Sequence, residues 1–77
     1  MNSERLIQII SDITGIPAEE MGEDTLLFEE LGVDSLEMFK IYTEVSAELD
    51  AAFDIKSFMS ALSIGKLLTI INDNRLG

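Results

Sequence analysis

The sequence predicts an all-α fold: a small four-helix bundle, three main helices plus a short third helix, with a long ordered loop between helices one and two. Three observations carry this expectation. Three segments repeat apolar residues at the helical period, no segment alternates as a half-buried strand does, and helix start and stop residues fall where those periods begin and end. A chain of 77 residues is expected to form one domain, 1–77. A domain of that size buries only about 60% of its unfolded surface. Its apolar content of 47% still suffices for a compact core.

The first helix is expected over 3–14, capped by Asn2 or Ser3. Leu6, Ile10 and Ile13 recur at i, i+4 and i+7, with Ile7 beside them. Gly15 ends it, and Pro17 keeps it from resuming. The connection 16–33 is longer than most inside small domains. It holds Ile16, Met21, Leu26, Leu27, Phe28 and Leu31, too many apolar residues for a disordered linker. It is therefore expected to pack over the core, with one short helical turn near 27–31. A long ordered loop of this kind suggests function.

The second helix is expected from Ser35 to about Asp50. Asp34-x-x-Glu37 reads as a capping box with Asp34 as the N-cap, and Gly32 supplies a backbone turn before it. At the helical period, Met38, Ile41, Tyr42, Val45 and Leu49 share one face and should be buried. Glu37, Glu44 and Glu48 form a ridge along one flank. The opposite face carries Leu36, Lys40, Thr43 and Ala47, with Phe39 at its edge, so Leu36 and Phe39 should be partly exposed. Residues 51–62 read as irregular or as a short third helix, with Phe53, Ile55, Phe58 and Leu62 as core anchors. Ser63 then caps a last helix in which Ile64, Leu67, Leu68 and Ile71 repeat the stripe, and 72–77 reads as a polar tail.

Composition narrows function. There is no cysteine, hence no disulfide or thiolate metal site, and no histidine, the commonest general base and metal ligand. Neither a glycine-rich phosphate loop nor paired carboxylates on one helix suggests an enzyme. The acids of 19–24 lack the spaced ligands and mid-loop glycine of a calcium loop, so no metal site is expected. Fifteen acids stand against five bases, a net charge of −10. Such a surface repels nucleic acid and anionic membranes and attracts basic protein patches. Glu19, Glu20, Glu23, Asp24, Glu29, Glu30, Asp34 and Glu37 crowd one stretch with no base among them. No apolar run approaches the ~20 residues of a membrane span, and no basic signal-peptide pattern opens the chain. A soluble cytoplasmic monomer is expected, and the lack of Pro/Gly-rich flanks favours a freestanding protein.

The candidate site is Ser35, at the first helical position. Its hydroxyl stands beside backbone N–H groups with no intrahelical partner, where a phosphate ester would be favoured. Asp-Ser at a helix start is common, and taken alone it is a weak signal that reads as an N-cap followed by an ordinary serine.

The remainder of the chain adds a set of motifs in order: Thr14-Gly15-Ile16, Asp24-Thr25-Leu26, Glu30-Leu31-Gly32-Val33-Asp34-Ser35-Leu36, and Ser63-Ile64. With these, the sequence resembles the acyl and peptidyl carrier protein family over essentially its whole length. The resemblance implies that Ser35 receives 4′-phosphopantetheine from coenzyme A through a separate phosphopantetheinyl transferase. The arm's thiol would then hold acyl or aminoacyl groups as thioesters, which suits a chain without cysteine. It implies a carrier that catalyses nothing and presents its cargo to acyl- or aminoacyl-loading and transfer enzymes. Those partners would dock basic patches on helix two and the loop before it, at Asp34, Leu36, Glu37, Phe39, Lys40, Thr43 and Glu44. Lys40, Ser46 and Ala47 depart from the acids usual in fatty-acid-type carriers, and the segment 58–64 looks closer to peptidyl and specialised carriers. The expectation is a freestanding carrier of a specialised lipid, polyketide or nonribosomal peptide pathway. A housekeeping fatty-acid carrier is one alternative, and an unmodified acidic interaction adaptor on the same fold is another.

Overall fold

The computed structural model describes residues 1–73 and the backbone of 75 and 76. Helix α1 spans Ser3–Thr14. The Asn2 side chain caps it by accepting the Arg5 N–H at 2.8 Å, and Gly15 closes it in the left-handed conformation at φ 79°. Leu6, Ile9 and Ile10 are buried, while Ile7 and Ile13 are only half-buried. The stripe is thus centred one position differently from the expected one, because Ile9 lies three residues after Leu6 and shares its face.

Helix α2 spans Ser35–Leu49, and Asp50 ends it at φ 48°. Met38, Ile41 and Val45 are fully buried. Tyr42 and Leu49, expected to be buried with them, are half-buried and pack on the margin of the core. Helix α3 is short, Ile55–Met59, and α4 spans Ile64–Asp73 with the Ser63 hydroxyl accepting the Lys66 N–H at 3.0 Å. Helix α1 packs against α2 and α4, and α3 bridges α2 and α4. The architecture is the expected small all-α bundle of four helices, around a core that includes Leu6, Ile10, Leu27, Met38, Ile41, Phe58, Ile64, Leu67 and Ile71.

Several expectations need correction. Ile55 and Leu62 are not core anchors: they are 45% and 66% exposed, and Ala61 and Ile70 are buried instead. A five-residue helix has room for little more than one inward position, which Phe58 takes, and Ile55 at its start faces out. Leu62 lies in extended chain where neighbours alternate in direction, so Ala61 points in and Leu62 out. The chain after α4 is not simply a polar tail. Asn72 and Asp73 complete α4. The two-residue strand β2 (Arg75–Leu76) pairs antiparallel with β1 (Ala52–Phe53), while Asn74 and Gly77 lie outside the described residues.

The loop 16–33 is ordered, as expected, and packs over the core through Met21, Leu27 and Val33. One turn closes near 27–31, where the Glu30 and Leu31 N–H groups share the Leu26 carbonyl at 3.1 and 3.2 Å. A 3-10 turn at Ala18–Glu20, after Pro17, was not legible in the sequence. Backbone bonds fasten the loop to the α3–α4 junction. Leu27 donates to the Leu62 carbonyl at 2.9 Å, Ile64 to Thr25 at 3.0 Å, and Gly65 to Glu23 at 2.8 Å.

Candidate functional site

The segment leading into α2 is held before it reaches Ser35. Gly32 turns the chain at φ 67°, a conformation that side chains with a Cβ rarely adopt. Val33 is buried, and its N–H donates to the Leu27 carbonyl at 3.0 Å. The capping box is complete: the Asp34 carboxylate accepts the Glu37 N–H at 2.8 Å, and Glu37 Oε1 accepts the Asp34 N–H at 3.4 Å. These bonds satisfy two of the four donors that a helix start leaves open. The other two are the N–H groups of Ser35 and Leu36, which meet no protein acceptor among the described residues.

Ser35 itself is exposed, and its hydroxyl enters no hydrogen bond with another described residue. A phosphodiester on that oxygen would stand in open solvent, over two free N–H donors, at the positive end of a 15-residue helix. The residues present therefore fit 4′-phosphopantetheine. The fit also answers the missing cysteine, since the attached group brings its own thiol. Among the described residues no cluster of three or more His, Cys, Asp or Glu is arranged to hold a metal ion.

The residues expected around Ser35 fall into two groups. Leu36 is 64% exposed and Phe39 49% exposed, with Lys40 and Thr43 on the same outward side of α2. Thr43 donates its hydroxyl to the Phe39 carbonyl at 2.9 Å, leaving its methyl outward. The acids form no uniform ridge. Glu37 is occupied in the cap, while Glu44 turns toward α1 and lines a recess with Arg5, Ile9, Asp12 and Ile13. Glu48 accepts two bonds from Arg5 Nε, at 3.0 and 2.8 Å. The hydrogen bond from Arg5, more than its charge, holds the Glu48 carboxyl below the usual carboxylate range, and Glu48 holds the Arg5 guanidinium above its usual value. The remaining acids of 19–34 are exposed.

A second apolar feature was missed by sequence reasoning. Leu26, Phe28 and Leu62, with Glu29, line an open recess where the loop meets the α3–α4 junction. The only signal for it was the excess of apolar residues in the loop. The sequence pattern places its counterpart, Leu62, inward, whereas it is largely exposed.

Comparison with known proteins agrees with this geometry. The family model described as the phosphopantetheine attachment site matches residues 4–71. A curated acyl carrier protein of Saccharopolyspora erythraea is 27% identical over 70 residues, covering 91% of this chain and 74% of the relative.

Proposed function

The chain belongs to the phosphopantetheine attachment-site family, and from that premise we propose that Ser35 carries the arm in a specialised lipid, polyketide or nonribosomal peptide pathway. Membership makes the chain a carrier rather than an enzyme. It holds acyl groups as thioesters on phosphopantetheine and works with phosphopantetheinyl transferases and acyl-handling enzymes.

The observation that carries the assignment of Ser35 is its free, exposed hydroxyl at the head of α2, above two unshared N–H groups. In the loading step the Ser35 oxygen attacks the pyrophosphate phosphorus of coenzyme A that bears pantetheine. An oxygen–phosphorus bond forms, the bond to the departing adenosine bisphosphate breaks, and the hydroxyl proton passes to a base of the transferase. The N–H groups of Ser35 and Leu36 would be the donors that hold the phosphodiester at the helix end. Once attached, the arm supplies the thiol on which cargo is held. By keeping Asp34 and Val33 in place, the capping box and buried anchor fix where that arm leaves the protein.

Partner recognition is read on the same end of α2. Leu36 and Phe39 offer exposed apolar contacts, Asp34 and Glu37 and the loop acids offer negative charge to basic patches, and Glu44 sits on the α1 edge. Lys40 places a cation in that surface. This supports a pathway other than housekeeping fatty-acid synthesis, and the acyl carrier relative supports acyl cargo. One carrier domain over 1–77, acting as a monomer, completes the reading.

The test is intact-mass measurement after incubation with coenzyme A and a promiscuous transferase. A phosphopantetheinyl mass gain is expected for the chain and none for Ser35→Ala, whose helix should persist because Asp34 is the cap. A gain that survives in Ser35→Ala overturns the assignment, and no gain in either protein favours the unmodified adaptor.

A further inference from the structure

Phe39 is poorly placed for a residue that only packs. It lies one turn after Ser35 on α2, at i+4, with half its surface in solvent. Side chains in a helix lean toward its N-terminus, so the Phe39 ring covers the turn that begins at Ser35. The ring is also held in orientation. It stacks on Tyr42 with centroids 6.3 Å apart and planes within 15°. Tyr42 in turn meets the Phe58 ring edge-on at 5.1 Å and donates its hydroxyl to the Phe53 carbonyl at 3.1 Å. Phe39 thereby lies against an anchored aromatic, while about half of its surface stays in solvent one turn from the serine. A ring ordered in advance offers apolar contact area with little entropy left to lose.

We propose that Phe39 is an aromatic shelf for the arm carried by Ser35, receiving on its open face the geminal dimethyl group near the phosphate. This rests on Ser35 as the attachment residue and adds how the chain handles the arm between partner encounters. The dimensions agree. Four residues of helix advance ~6 Å along the axis. The quaternary carbon follows the serine oxygen by a phosphorus, an oxygen and a methylene, a reach of similar size. Leu36, more exposed at 64%, lies about a quarter-turn around the helix from Ser35 and offers no ring face. The shelf keeps the root of the arm on the α2 face, and a docking partner that covers Phe39 releases it.

The experiment uses the phosphopantetheinylated chain with isotope-labelled methyl groups on the arm, observed by NMR. Protons over the face of an aromatic ring move upfield. Both methyl resonances are expected upfield of their positions in coenzyme A, with nuclear Overhauser contacts to the Phe39 ring. In Phe39→Leu they should return toward the coenzyme A positions with the melting temperature little changed, and Phe39→Tyr should retain the shift. Methyl resonances at the coenzyme A positions in the unsubstituted chain, or a shift that persists in Phe39→Leu, overturn the shelf. A mass gain at Ser35 with unshifted methyls sinks the shelf alone, whereas no mass gain sinks the attachment reading as well.

Discussion

Replacing Ser46 with alanine should stabilise the protein. The Ser46 Oγ is inaccessible to solvent and has no hydrogen-bond partner, an unusual state for a hydroxyl in the middle of a helix. An unsatisfied buried polar group costs about 1–3 kcal/mol, and the low end applies here because the residue as a whole is only half-buried. Alanine also gains roughly 0.5 kcal/mol over serine in helix propensity. The sum is about 1.5 kcal/mol, which in a domain of this size raises the melting temperature by roughly 6–12 °C. Thermal and urea unfolding monitored by circular dichroism measure it, and an unchanged urea slope would confirm that the folded state is the source. Ser46 is three turns from Ser35, so the rate of phosphopantetheinylation should not change. A melting temperature equal to or below that of the unsubstituted protein would refute the reasoning. It would show that the hydroxyl is satisfied, for example by the Tyr42 carbonyl one turn back.

Four further outcomes are expected. Leu36→Ala should slow modification and acyl transfer severalfold while changing stability by no more than about 0.5 kcal/mol, since the side chain is mostly exposed; equal rates for the two proteins would remove Leu36 from the docking surface. Lys40→Glu should improve acyl transfer by fatty-acid synthase enzymes at low salt and not at high salt, and unchanged rates at low salt would mean that position 40 does not face the partner. Glu48 has its carboxyl depressed by Arg5, so the pair contributes stability above the usual carboxylate value of 4.5 and loses it as pH falls through the lower folded value. Glu48→Gln should therefore flatten that part of the acid limb of the stability curve with only a small loss at neutral pH, as both side chains are solvent-exposed. Added salt or millimolar divalent cation should raise the melting temperature by relieving repulsion among the exposed acids of 19–34, and independence from both would show that these charges are too well spaced to interact.

What was legible from the sequence is what neighbours in the chain decide for themselves. The Asn2 cap, the Gly15 stop and the Asp34–Glu37 box each involve residues within four positions of one another, so the ends of α1 and α2 follow from local chemistry. The exposed place of Ser35 at the head of α2 was legible for the same reason, since Asp34 and Glu37 fix where that helix starts. The centres of the inward faces followed from the period, Met38, Ile41 and Val45 on α2 and Ile64, Leu67 and Ile71 on α4. The exposure of Leu36 and Phe39 followed as its complement.

What only the tertiary structure decided depends on partners far away in the chain. Ile55 and Leu62 are as apolar as Phe53 and Phe58, and nothing local says which pair points in. The shortness of α3 and the pairing of Leu62 with Leu27 decide it. The acids of α2 read as one ridge until Arg5, forty-three residues from Glu48, claims one of them and the capping box another. The anchoring of the Tyr42 ring, edge-on to Phe58 with its hydroxyl donating to the Phe53 carbonyl, arises where α2 meets α3 and β1. The helices and the exposed position of Ser35 are thus local products of hydrogen bonds within a turn or two. The surroundings of that serine are set by packing between segments, where the same residue types can face either way until a neighbour covers one side.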